Sequence, residues 1–459
     1  MKNILPICMF FVIFFTGLLT EQLKVLPNVL VWLPDLFAFG LALFVVPRII
    51  ARKSFKIPLK YLVAFFAFMY VVISGIVLNE ISSETIIAGI RNYFKYTFIF
   101  LLPLAYDYSE VDLVKQFKVL LLLGLIQVPM TFLQRFVLYP NLETGDVISG
   151  TVLKTTSLTI IMIGLIIFLI ALYLKKTITL KSLLVLAFLL FLPTALNETK
   201  STVIIFPAAL VGLIFIMYRE ITQKQLAIIV GSGILLLGTY VAFYDSLYNK
   251  ADEKPGFIEM MIAEKGMLRS GGYNYEGYQV DPNEVLNIED KVIGQYKDLP
   301  TREEDMGRFD TMFIPFQVFM GEKKDVVRLF FGFGIGNVTS KLGKGGTYAH
   351  VQRLKGGGTT LSVLLWETGL LGVFIFILFV ILIAWDSMLL AKRDSGFWGK
   401  FASGWFGITI IVFVTLPYFN LYFFPEVAFL VMFYSGMLVL YNPIKSPTEF
   451  RNIPKNIKV

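Results

Sequence analysis

The sequence predicts an all-α polytopic membrane protein of about twelve transmembrane helices, with one large outward-facing loop between spans nine and ten. Three observations carry that prediction. The 459-residue chain is 56% apolar, with a mean hydropathy of +0.72, above the ~45–50% apolar share of ordinary soluble domains. Long apolar runs recur between short charged segments, close to the ~20 residues that a membrane-crossing helix needs. A single polar stretch, 243–358, interrupts them and carries 17 of the 33 acidic residues and 15 of the 41 Lys and Arg. Such a stretch belongs in water. The short alternating segments of a transmembrane barrel are absent.

In chain order, the spans are read at 4–20, 29–47, 59–78, 93–106, 116–136, 157–174, 182–197, 203–218, 226–243, 359–384, 401–416 and 424–441. The first, in MKNILPICMFFVIFFTGLLTEQ, lacks a small-x-small cleavage site and is followed at once by a second apolar run. It is expected to be a retained helix rather than a signal peptide. The fourth is short, with amphipathic flanks. The domain plan is a membrane bundle over 1–243, an extracytoplasmic loop over 244–358, and a second membrane segment with a cytoplasmic tail over 359–459.

Orientation follows from Lys and Arg in short loops. Alternate loops collect Arg48, Arg52, Lys53 and Lys56; Lys115 and Lys118; Lys175, Lys176 and Lys181; Arg219 and Lys224; Lys392, Arg393 and Lys400; and finally Lys445, Arg451, Lys455 and Lys458. The other loops hold only Lys24, Arg91, Lys95, Arg135, Lys154 and Lys200. Both termini are therefore expected in the cytoplasm, and the 243–358 loop outside the cell (inner) membrane.

Composition also excludes functions. With one cysteine, Cys8, no intrachain disulfide can form, and with one histidine, His350, a zinc or haem site is not expected. No metal or other cofactor is expected. The net charge of +8 is spread over helix ends rather than gathered in a patch, so nucleic acid is not an expected partner. Inside lysines have an ordinary explanation in topology and anionic lipid headgroups. The outside cations lack it. Arg91 in GIRNYFKY, Lys154 in SGTVLKTTS and Lys200 in NETKST each stand near the outer end of a span. One alone would be read as snorkelling to lipid phosphates. Together they outline a basic ring around an outward-facing cavity, suited to a pyrophosphate or another anionic headgroup.

The loop divides in two. Its first part is polar and aromatic, with Tyr273, Tyr275 and Tyr278 in GGYNYEGYQV. Its second part has Met312, Phe313, Phe316, Val318 and Phe319 at helical spacing, an amphipathic helix that starts near Arg308. FGFGIGN, Phe331–Asn337, lacks the Lys-Ser/Thr of a phosphate-binding P-loop and reads as a tight, close-packed turn. Glu367 falls seven or eight residues into the tenth span, where a carboxylate is costly and normally faces a wet interior; its expected place is buried, in an orienting role. Asp35 and Glu426, at outer helix ends, are expected to be interfacial.

FGFGIGN followed by TTLSVLLWETGLLGVFIF resembles the signature of the O-antigen polymerase and O-antigen ligase superfamily. Leu365, Glu367, Gly369, Leu370, Leu371 and Gly372 match its L-x-E-x-G-L-[LI]-G motif. LPDLFAFGLALF resembles the family's second span, NETKST its turn between two central spans, and GRFDTMF its arginine-bearing loop segment. The ligases carry a histidine directly before the late helix; here that position is Gly358, followed by Thr359. The resemblance therefore implies a polymerase, with a GT-C-like arrangement of spans. It implies a metal-independent inverting glycosyltransferase that moves a glycan from undecaprenyl pyrophosphate to a lipid-linked repeat unit. Arg91, Lys154, Lys200, Arg308 and Arg353 would stabilise the departing pyrophosphate. Glu367 is the candidate for activating the acceptor hydroxyl, with Arg308 as its catalytic companion. A chain-length regulator and a flippase are the implied partners, and O-antigen, capsule or exopolysaccharide the implied product. The alternatives are an O-antigen ligase and a lipid-linked oligosaccharide transporter.

Overall fold

The computed structural model describes residues 2–51, 57–106, 108–140, 145, 147–248, 257, 315–316, 319–320, 325–338, 359–420 and 424–440. Among these there is no strand, and fourteen α-helices are delimited. They are α1 (Ile4–Gly17), α2 (Leu33–Ala51), α3 (Leu59–Leu78), α4 (Ser83–Phe94), α5 (Thr97–Ala105), α6 (Glu110–Leu133) and α7 (Thr155–Leu174). There follow α8 (Leu180–Leu196), α9 (Thr202–Met217), α10 (Gln223–Tyr248), α11 (Val326–Phe331), α12 (Thr360–Arg393), α13 (Phe397–Thr415) and α14 (Pro425–Leu440). Eight helical stretches are long and apolar enough to cross a membrane, and α8, α9 and α14 are shorter apolar helices. The protein is membrane-embedded on that ground.

Helix α7 is the hub. It is apolar on every face, and nearly all of its residues are buried, because α8, α9 and α13 surround it. A helix apolar all round has no preferred side and settles in the interior. Helices α2, α3 and α10 instead leave large apolar side chains uncovered, among them Leu43, Phe66 and Leu235. In a membrane-embedded chain these faces meet lipid.

Two elements differ from the sequence reading. The expected fourth span, 93–106, reduces to the short α5, preceded by the end of a separate helix, α4. Helix α4 is amphipathic and starts at Ser82, whose hydroxyl accepts the Thr85 N–H at 3.4 Å. This is the N-cap that frees a helix from its preceding chain. Helix α5 is only nine residues long, about 14 Å at 1.5 Å per residue, less than half of a ~30 Å hydrocarbon layer. The expected tenth span also breaks. Gly369 inside α12 has φ 63° and ψ −168°, which ends one helix and begins another. The first piece, 360–368, is short and almost wholly buried. The second, 370–393, is about 36 Å long and supplies the membrane-crossing length.

The helix ends form two polar layers. At one end, the segment before α7 is stitched to α6 and α1 by amides. Gln127 Nε2 donates to Thr151 Oγ1 at 2.8 Å, and Thr151 N to Gln127 Oε1 at 2.7 Å. Gln134 exchanges a donor and an acceptor with the Gly150 backbone at 2.7 and 2.8 Å, and donates to Gln22 Oε1 at 2.6 Å. At the opposite end, Lys2 pairs with Asp112 at 2.6 Å, Lys60 and Tyr61 both reach Asp386, and Lys175 pairs with Glu220 at 2.6 Å.

Candidate functional site: a cation cluster at one end of the bundle

Arg91 lies in the last turn of the amphipathic α4 and Lys95 follows its end in helical conformation, so the spacing of four puts both on one face. They close on Asp35 in the first turn of α2. Arg91 donates through Nε at 2.7 Å and also through Nη2, both to Oδ2, while Lys95 Nζ donates to Oδ1 at 2.8 Å. The Arg91 guanidinium lies 3.8 Å from the centre of the Trp32 ring, a stacking arrangement suited to its planar charge. Asp35 is 8% exposed and Lys95 5%. Two cations and the start of α2 make the burial of that carboxylate tolerable.

A second carboxylate adjoins them. Glu426, in the first turn of α14, accepts the Leu153 N–H at 2.9 Å and the Ser157 hydroxyl at 3.0 Å. Lys95 and Lys154 both lie within its electrostatic reach. Lys154 itself immediately precedes α7 and is exposed. The expectation that Asp35 and Glu426 are interfacial is corrected: both are buried. Each sits at a helix start but is roofed by chain that is remote in sequence.

Lys200 stands in the next sector. Its ammonium is 3.7 Å from Glu198 Oε1 and 5.8 Å from the Tyr244 ring centre. The turn that carries it is tied to α7, because Asn197 Nδ2 donates to Thr155 O at 3.1 Å and to Thr159 Oγ1 at 2.8 Å. Arg91, Lys154 and Lys200 thus share one end of the bundle through a chain of contacts. Arg308, Arg353 and His350 lie outside the described residues, as do the three loop tyrosines and most of the amphipathic segment around Met312.

FGFGIGN forms a turn that is locked to the break in α12. Phe333 N donates to Trp366 O at 2.7 Å, and Gly334 N to Glu367 O at 2.9 Å. The two backbones approach so closely that a Cβ on Gly332 would lie 2.5 Å from the Glu367 carbonyl carbon. One on Gly369 would lie 2.6 Å from Gly332 N. Both glycines also have left-handed φ, 69° and 63°. Phe333 stacks on Trp366, with centroids 5.6 Å apart and planes at 27°. Arg328 Nε donates to Asn79 Oδ1 at 2.9 Å, and Asn79 Nδ2 to Gly332 O at 3.2 Å, which joins α3 to the assembly.

Glu367 is 1% exposed, and its Oε1 accepts the Val338 N–H at 2.9 Å. Its carboxylate faces the turn, so the described contact is one of positioning. The break at Gly369 explains how it is buried: Glu367 closes a short helix instead of standing inside a spanning one. Among the described residues, no group of three or more His, Cys, Asp and Glu could hold a metal ion.

Sequence reasoning noted Lys95 among the outside cations but left it out of the candidate site. The signal was there, in its spacing of four from Arg91. No protein-family model matches the chain, and no curated protein matches it with significance.

Proposed function

We propose that the chain is a membrane glycosyltransferase of the polysaccharide-polymerase kind, working on the outer face of the cell (inner) membrane with both termini in the cytoplasm. The observation that carries this is the gathering of Arg91, Lys95 and Lys154 around two buried carboxylates at one end of an apolar bundle. The resemblance of 331–372 to the O-antigen polymerase and ligase superfamily supplies the chemistry. About twelve spans are retained in this proposal, with the short α5, α8, α9 and α14 counted among them.

In the proposed reaction, a hydroxyl oxygen of the incoming lipid-linked repeat unit attacks the anomeric carbon of the donor glycan. A new glycosidic C–O bond forms as the C–O bond to undecaprenyl pyrophosphate breaks, with inversion. The bonding pair leaves with the pyrophosphate, and the hydroxyl proton passes to a base. Developing charge on the leaving group is the largest demand, and fixed cations answer it best where water is scarce. Arg91, Lys95 and Lys154 serve there, with Lys200 beside them and Arg308 and Arg353 contributed by the polar loop. Glu367 acts by holding the 332–338 turn against α12. No metal is assigned a role.

The test is a glycan ladder from cells lacking the gene, run beside extracted lipid-linked intermediates. Single repeat units on the final acceptor, with long chains lost, would support a polymerase. Long chains stranded on undecaprenyl pyrophosphate would make it a ligase instead. Single units retained on the cytoplasmic side would make it a transporter and sink the enzyme reading.

A further inference from the structure

Asp35 is held by two cations at once. One of its oxygens takes two donors from the Arg91 guanidinium, and the other takes the Lys95 ammonium. A forked guanidinium with an adjacent ammonium is the donor set that phosphate oxygens use. The formal charges in contact are two positive, on Arg91 and Lys95, and one negative, on Asp35. The resting cluster therefore has one cation in excess, a weak attraction for a polyanion.

The two cations are not equivalent. The Lys95 side chain is 6% exposed, whereas Arg91 is 27% exposed and its stacking partner Trp32 is 40% exposed. The Arg91 flank is the open side.

We propose that Asp35 is a resident counter-ion, standing in for the diphosphate of the ligand. The ligand enters from the Trp32 side, takes over the Arg91 fork, and displaces the Asp35 carboxylate. This rests on the proposed anion site and adds a regulation to it: the site is self-neutralised when empty, and Asp35 returns to expel the product diphosphate. Asp35 thereby lowers affinity and hastens release.

The experiment uses the purified full chain in nanodiscs and inorganic pyrophosphate as the probe, with binding measured by calorimetry. Asp35→Asn keeps the shape and removes the charge, and is expected to tighten pyrophosphate binding at least five-fold, while Arg91→Ala weakens it by a similar factor. Equal affinity in wild type and Asp35→Asn, or a weaker one in the variant, would overturn the proposal and leave Asp35 a clip between α2 and α4. Should Asp35→Asn fail to fold, hydrogen exchange of wild-type residues 83–94 decides. Pyrophosphate should speed exchange there as the α2–α4 tie opens, and unchanged or slower exchange would overturn the proposal. Binding needs no glycan chemistry. An Asp35 effect on binding, with the glycan ladder of cells lacking the gene unchanged, would sink the polymerase and keep the counter-ion; a ladder that loses long chains with no Asp35 effect would do the opposite.

Discussion

The two ends of the bundle both carry ions but use them differently. At the end with the amino terminus, charges pair at the rim. Side-chain exposures are 43% for Lys2, 37% for Lys60 and 48% for Glu220, so each pair has one partner that water screens, although Asp112 is itself buried and takes donors from Asn3 and Ser109 as well. At the other end the cation is buried with its carboxylate: Asp35 and Lys95 both are, and so is Glu426. Pairs with one exposed partner are what topology and headgroups require. A pair buried on both sides is more than they require, and its cost argues for use.

The comparison can be broken in several ways, the largest first. Gly369→Val would force a branched side chain into a left-handed backbone and against the Phe330 carbonyl and Gly332 N. The expected cost is more than ~3 kcal/mol, and little monodisperse protein should survive detergent extraction. A wild-type elution profile would show that the turn and the broken helix are not one unit.

Next is Glu426→Ala, which strands the Leu153 N–H and the Ser157 hydroxyl. Each buried group left unsatisfied costs ~1–3 kcal/mol, so thermal unfolding in detergent should fall by several degrees, with Glu426→Gln between the two. If Ala and wild type melt together, that end is not organised around its carboxylates.

Glu367→Gln sharpens the account further. A glutamine oxygen still accepts the Val338 N–H, so glycan chain length should stay near wild type at matched expression. Loss of 10²-fold or more in elongation would mark a general base and end the positioning role. The smallest effect belongs to Lys175→Ala at the rim. Its partner Glu220 is half exposed, and the loss should stay below ~1 kcal/mol; a larger drop in unfolding temperature would erase the contrast between the ends.

Much of this was legible in the sequence where it depended on composition along one helix. Apolar runs marked α1 to α3 and α6 to α10, with ends off by up to six residues. FGFGIGN announced a tight turn, since close backbones need glycine. What stayed hidden depended on neighbours far along the chain. A hydropathy window over 359–384 passes across Gly369 unchanged, because it senses composition and not φ. Asp35 and Glu426 read as interfacial, yet Arg91 is 56 residues from Asp35 and Leu153 is 273 from Glu426, so their burial is a tertiary fact. The departure at 93–106 was partly visible, in the shortness of that span and its amphipathic flanks. Arg308 and Arg353 remain expectations of the resemblance.

The most direct test of the central claim is the surface-glycan length distribution in a gene-deleted strain complemented with Arg91→Ala, Lys95→Ala or Lys60→Ala at matched membrane levels. The account predicts that the first two lose long chains and accumulate single repeats, while Lys60→Ala, at the opposite end, gives the wild-type ladder. Equal ladders from all three, or a loss confined to Lys60→Ala, would contradict it.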